Sequence, residues 1–240
     1  MPSRRRFLQT ASLGVTAAAV SPAALSAWDR SEVPNPEPLW TAKDYRRLKP
    51  AVFQWPSERA VEEHMRLYRG YVNKANELWE KIAQLDRDPA KANATYSDIR
   101  VMKVELTFAI GGVKNHEIYF DILGGSGGAP RGRLAEAIQK NFGSFEAWAA
   151  DLKATGIAAR GWVWLAYDFE KKTLFNYIGD SQNLFPIWNA SPILALDMFE
   201  HAFFMDYGTN RGAYIDDFLK RIDWAVVEAN FERVLRMTGL

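Results

Sequence analysis

The chain has 240 residues, 48% hydrophobic and 25% charged, with 30 basic and 29 acidic side chains and a formal net charge of +1. These proportions exclude disordered, collagen-like and polytopic membrane proteins, and the near-neutral balance leaves no electrostatic footprint for nucleic acid. Cysteine is absent and histidine occurs only at His64, His116 and His201, so disulfides, thiol nucleophiles and thiolate metal sites are removed at once.

The first 27 residues read as an address. Arg4, Arg5 and Arg6 precede Phe7-Leu8, and an acid-free run rich in Ala and Val follows. Ser21-Pro22-Ala23-Ala24-Leu25-Ser26-Ala27 then supplies small residues for cleavage after Ser26 or Ala27. Basic start, apolar centre and small-residue end are the layout of a signal peptide, and the arginines before Phe-Leu resemble a twin-arginine signal. The apolar centre is too short to span a bilayer as a helix. The expectation is an exported protein, periplasmic or extracellular, carried by the twin-arginine machinery and without a stable membrane anchor once cleaved. Without its leader the chain holds 27 basic and 29 acidic residues, a net charge of −2.

Residues 28–56 contain Pro34, Pro36, Pro38, Pro50 and Pro56 and read as an extended arm. Ser57 is a candidate N-cap for a long amphipathic helix, in which Val61, His64, Met65, Tyr68, Tyr71, Val72, Ala75, Leu78 and Ile82 recur at three-to-four spacing. A polar turn over 86–94 leads to a second helix over 97–123, and the two make a helical hairpin spanning 57–123. The glycine-rich stretch 124–130 follows no strand and fits neither phosphate-loop pattern, so it reads as a linker. Residues 130–240 alternate helices with strands expected at 161–167, 173–178 and 192–196. The fold class is α+β: an N-terminal α-helical hairpin, then a mixed α/β domain with a small three-stranded antiparallel sheet.

Each histidine taken alone fits a hydrogen-bonded core residue, but their surroundings point further. His64 shares an apolar helix face with Tyr68 and Tyr71, and His116 lies on the side of its helix that holds Gly112 and Tyr119. His201 follows Asp197 by four residues, where a strand meets the aromatic helix start at Phe199, Phe203 and Phe204. An unpaired carboxylate or imidazolium in such a setting is costly, and one metal ion satisfies all four side chains. Three neutral imidazoles and a carboxylate leave a coordination position open, and they suit zinc, iron or manganese rather than copper(I). Paired Glu-x-x-His, HExxH and the parts of a hydrolase triad are all missing from the sequence.

The segment Asp197-Met198-Phe199-Glu200-His201-Ala202-Phe203-Phe204 resembles the D-x-W-E-H-A-Y-Y signature of the iron/manganese superoxide dismutases. Asn115-His116-Glu117-Ile118-Tyr119-Phe120, Phe142-Gly143-Ser144-Phe145 and Gly161-Trp162-Val163-Trp164-Leu165 resemble three further segments of that family, and His64 with Tyr71-Val72 resembles its first helix. The likeness runs from about residue 42 to residue 234. It implies an enzyme that disproportionates superoxide to dioxygen and hydrogen peroxide at one Mn or Fe ion per subunit. His64, His116, Asp197 and His201 would be the protein ligands, with solvent completing the set. Tyr71 and Gln182 would serve the reaction from beside the ion, with Gly112, Tyr119, Trp162 and Phe199 around them. Glu200 would bridge to the partner's ligand histidine in a homodimer, a tetramer being the open alternative.

The resemblance also favours manganese over iron. Iron-type members carry Gln four residues before the second histidine, where this chain has Gly112; manganese-type members supply Gln from the sheet region, as Gln182 does. Pro186 follows Gln182 one residue later than usual, and Tyr71 follows His64 by seven residues instead of eight. Tyr68 stands at the gateway position usually held by His, Phe204 replaces its Tyr partner, and Phe199 replaces a Trp. The expectation is retained chemistry with an altered gate. The alternative, a non-catalytic dismutase-like scaffold acting as an interaction protein, would be marked by loss of a ligand.

Overall fold

The computed structural model describes residues 37–237; the signal-peptide reading of 1–27 and the start of the arm lie outside those residues. In chain order the elements are α1 (Tyr45–Leu48), a 3-10 turn (Pro50–Gln54), α2 (Glu58–Ala83), α3 (Asp98–Asp121), α4 (Gly132–Phe142) and α5 (Phe145–Ala158). They continue as β1 (Trp162–Asp168), β2 (Thr173–Gly179), β3 (Ala190–Asp197), α6 (Glu200–Tyr207), α7 (Arg211–Leu219) and α8 (Trp224–Met237). This is the expected α+β architecture. No helix among the described residues is long and apolar enough to cross a membrane.

Ser57 caps α2 by accepting the Ala60 N–H at 3.2 Å. The buried face of α2 carries Val61, His64, Met65, Tyr68, Val72 and Ala75, so the apolar stripe that folds the helix also sets the first ligand against α3. α3 stops at Asp121, two residues short of the expected end, and the Ile122 N–H closes it on the Ile118 carbonyl at 3.3 Å.

The arm is not extended throughout, which corrects the reading of 28–56. Asp44 accepts the Arg47 N–H at 3.3 Å and starts α1, and Pro50 stands first in the 3-10 turn, where its missing N–H costs nothing. The arm is strapped across the hairpin. Asn76 Oδ1 accepts the N–H groups of Leu39 and Trp40 at 3.0 and 3.1 Å, and Lys49 Nζ reaches Asp223 at 2.8 Å. The glycine-rich stretch is no free linker either. Gly125 and Gly127 donate to the carbonyls of Arg221 and Ile222 at 3.0 and 3.2 Å.

The sheet has order β2-β1-β3, with both pairings antiparallel and the buried β1 in the centre. β3 begins two residues earlier than expected. Pro192 pairs with Ala166 beside a register shift, an edge-strand position where a residue without N–H is tolerated. The strand also continues through Asp197, whose register partner on β1 is Trp162. Sheet register thus delivers a carboxylate and an indole to the same end of the sheet, facing the hairpin.

Candidate metal centre

His64 on α2, His116 on α3, Asp197 at the end of β3 and His201 on α6 converge, with one donor atom from each lying within 4.8 Å of the others. Asp197 Oδ2 is the hub, at 3.1 Å from His64 Nε2, 3.2 Å from His201 Nε2 and 3.8 Å from His116 Nε2. Two donors about 2.1 Å from a common ion stand about 3.0 Å apart at a right angle and about 3.6 Å apart at 120°. The separations to Asp197 fall close to that range.

Each ligand is held from behind. The Phe199 N–H donates to Asp197 Oδ1 at 2.9 Å, leaving Oδ2 for the imidazoles. His116 Nδ1 donates to the Gly112 carbonyl at 2.6 Å, which fixes the tautomer with Nε2 facing the hub. The Phe199 ring stacks on His201 at 5.4 Å and 11°.

The electrostatics fit a cation. His64 Nε2 and His116 Nε2 are buried without a hydrogen-bond partner; the former is near Oδ2 but off the line of a hydrogen bond. Such orphans are rare, and an ion accepting both lone pairs removes the anomaly. Burial lowers both imidazoles, His116 to about 3 and His64 despite the pull of Asp197, so both present the neutral form that ligation needs. Burial alone raises the Asp197 carboxyl, but His201 and His64 beside it outweigh burial and hold it well below the usual range. The residues fit a single divalent or trivalent ion.

A second layer surrounds this cluster. The Trp162 indole N–H donates to Gln182 Oε1 at 3.0 Å, and because indole can only donate, the amide orientation of Gln182 is fixed. Gln182 Nε2 then donates to the Tyr71 hydroxyl at 3.3 Å. The Tyr71 ring lies 5.3 Å from His116, and Trp162 meets His116 edge-on at 5.2 Å. Seven residues after His64 is about two helical turns, which keeps Tyr71 on the ligand face of α2; the shortened spacing does not misplace it. Tyr119 packs against His64 at 5.4 Å.

Gly112 is not merely compatible with this layer: a β-carbon there would lie 2.4 Å from Tyr71 ring atoms. At Gly111 it would lie 2.0 Å from the Gln182 carbonyl oxygen. The adjacent glycines admit the Tyr71 ring and the Gln182 backbone respectively, a pairing the sequence reading missed. It also assigned no role to Asn115, which accepts the Trp164 indole N–H and donates to the Gln182 carbonyl, both at 3.2 Å. A buried Asn directly before a ligand histidine was the available signal.

The gateway pair is not brought together within the described chain. The Tyr68 hydroxyl donates to Glu117 Oε1 at 3.0 Å and accepts the Lys43 N–H at 2.9 Å, while Phe204 is 51% exposed at the surface. Glu200 is exposed and, with His201, Phe204, Arg160 and Arg211, lines an open cavity of about 540 Å³. The mark of the non-catalytic alternative is not found, since all four ligands are in place.

Fold and site together define a mononuclear metalloprotein with a three-histidine, one-aspartate centre between a helical hairpin and a small sheet. The C-terminal domain model of the iron/manganese superoxide dismutases matches residues 130–230. The chain is 39% identical over 193 residues to the iron superoxide dismutase of Aquifex aeolicus, covering 79% of this chain and 90% of the relative. It is 33% identical over 192 residues to a manganese superoxide dismutase of Halobacterium salinarum, covering 79% and 92%. It is 35% identical over 192 residues to the iron enzyme of Cupriavidus metallidurans, covering 78% and 94%. The chain belongs to the iron/manganese superoxide dismutase family.

Proposed function

We propose that the chain is a superoxide dismutase that binds one manganese or iron ion per subunit through His64, His116, Asp197 and His201. The observation that carries this is the set of three imidazole Nε2 atoms around one Asp197 oxygen, two of them buried and unsatisfied. The ion, when bound, supplies one-electron exchange, so that two superoxide anions and two protons become dioxygen and hydrogen peroxide. The protein holds the donors and manages protons. Burial raises the Tyr71 phenol, keeping it protonated, and its oxygen already accepts from Gln182. Its own proton is therefore free to be donated towards the centre, and Trp162 and Gln182 orient that donor.

The preference for manganese rests on Gln182 approaching from the sheet side with Gly112 unable to carry a side chain. The homodimer rests on exposed Glu200 beside His201. Export rests on the leader, in which three arginines precede an acid-free apolar run.

Metal analysis of protein purified at native expression, with a superoxide disproportionation assay, tests the reading. About one manganese or iron per chain, and activity that tracks occupancy, are expected. In His116→Ala both should collapse together; full metal and full activity in that variant would sink the assignment.

A further inference from the structure

A chain of oxidisable rings leads from His64 to the surface. Tyr119 packs against His64 with ring centroids 5.4 Å apart. Its hydroxyl meets the Tyr214 hydroxyl at 3.1 Å, with both residues fully buried. Tyr214 is stacked on Trp55 at 5.4 Å and 9°. The Trp55 indole N–H donates to the Tyr207 hydroxyl at 2.7 Å, and Tyr207 donates to Asp217 Oδ2 at 2.9 Å. Tyr207 is half-buried at the molecular surface.

The hydrogen bonds give this path a direction. Oxidising a phenol to its neutral radical releases a proton, so it is easiest where the hydroxyl already leans on a base. Tyr119 and Tyr214 pair with each other in a dry core. Tyr207, at the outer end, hands its proton to a carboxylate.

We propose that Tyr119, Tyr214, Trp55 and Tyr207 form an outlet for oxidising equivalents, through which hydrogen peroxide at the centre oxidises Tyr207 instead of the ligand imidazoles. The idea rests on the dismutase reading, since peroxide is that reaction's product. The balance closes with a reductant of the phenol or ascorbate class in solution. One peroxide breaks its O–O bond and takes up two electrons and two protons to give two waters. Each electron is drawn inward from Tyr207, whose phenolic proton passes through Asp217 to solvent while the centre takes up one proton from solvent, and the reductant restores the phenol by giving one hydrogen atom per turn.

The test adds hydrogen peroxide directly to metal-loaded native protein, Tyr207→Phe and Trp55→Phe. It reads the radical by freeze-quench electron paramagnetic resonance and maps oxidation by peptide mass spectrometry. Native protein should show a phenoxyl radical and oxygen addition at Tyr207, with little at His64, His116 or His201. Tyr207→Phe should lose that radical. Both variants should show several-fold faster ligand oxidation and peroxide inactivation, with superoxide turnover beforehand unchanged. Should Trp55→Phe not fold, the half-exposed Tyr207→Phe decides alone. Equal ligand oxidation in native and variant protein overturns the outlet, and so does first oxidation at Trp162, Trp164 or Tyr177. Loaded protein without superoxide turnover would instead overturn the dismutase reading, because the peroxide readouts do not depend on it.

Discussion

Gly112 and Tyr71 occupy one space, the ring of Tyr71 filling the volume that a side chain on α3 would take. Gly112→Ala is therefore expected to push Tyr71 away from Gln182 and His116, at an overpacking cost of about 1–3 kcal/mol. The Gly112 carbonyl still accepts from His116 Nδ1, so metal content should stay near full while turnover drops. Elemental analysis beside a pulse-radiolysis assay reads both. Unchanged turnover would mean that the Tyr71 position does not matter to the reaction.

Gln182 joins Trp162 to Tyr71. Gln182→Ala leaves a buried indole N–H without its acceptor, a penalty of about 1–3 kcal/mol, and frees the Tyr71 ring. Activity should fall far more than metal content. Parallel loss of both would make Gln182 a packing residue, and an enzyme that is not impaired would remove the support for manganese.

The proposed ligand set was legible because the chain has only three histidines, each in an apolar or aromatic setting, with Asp197 four residues before the last of them. Long amphipathic α2 was legible for the same kind of reason, a repeating apolar stripe that starts after a Ser57 cap. What stayed hidden depends on contacts distant in sequence. Gly111 looks like an ordinary small residue until the Gln182 carbonyl arrives against it. Pro192 reads as a strand start until β1 shifts register opposite it. The arm read as extended from its prolines, yet the Asp44 cap and the chain's crossing of α2 bend it into turns. Tyr68 could be assigned a gate from its position alone; only the structure reveals that its hydroxyl is engaged by Glu117 and Lys43.

Metal removal should make stability acid-sensitive. The unfolded chain protonates His64 and His116 near pH 6.5, and roughly 2 kcal/mol per imidazole is lost by pH 5 if both stay neutral when folded. Burial does keep both low, His116 at about 3. His201 works with the opposite sign: burial lowers it, Asp197 outweighs burial, and its folded value is raised. Its contribution is fully present below pH 6.5 and is lost as pH rises through the raised folded value, so it offsets the acid loss only in the upper part of the range and not on the way down to pH 5. Urea unfolding of apoprotein between pH 7 and 5 should show the decline, and a flat profile would contradict it.

Tyr68 is expected to matter for folding and not for turnover. Its hydroxyl ties α2 to Glu117 on α3 and to the Lys43 backbone, and its ring is fully buried. Tyr68→Phe keeps the ring but removes the acceptor of the Lys43 N–H and the donor to Glu117, which keeps only the Lys43 ammonium at 3.9 Å, costing about 1–3 kcal/mol. The melting temperature should fall by several degrees while activity per bound metal holds. A large activity loss at full metal content would restore Tyr68 to the gate.

The proposed dimer makes Glu200 the most informative surface residue. It follows Phe199 at the start of α6, is exposed, and is adjacent to His201, which keeps 25% of its side chain open to the cavity shared with Phe204 and Arg211. Adjacent helical positions point about 100° apart, so Glu200 faces outward while His201 faces the ion. Across a two-fold axis each Glu200 can accept from the other subunit's His201, and symmetry makes that contact occur twice. Hydrogen bonds to charged groups contribute about 1.5–3 kcal/mol each, so losing both weakens association by roughly a hundredfold or more. Glu200→Ala should therefore dissociate at concentrations where the native protein stays dimeric. It should also lose activity with every metal ligand intact, because His201 is left without its orienting acceptor. Size-exclusion chromatography with light scattering over a dilution series, run beside turnover, reads both effects. A native protein that is monomeric at micromolar concentration, or a variant with unchanged association and unchanged rate, would refute the bridge.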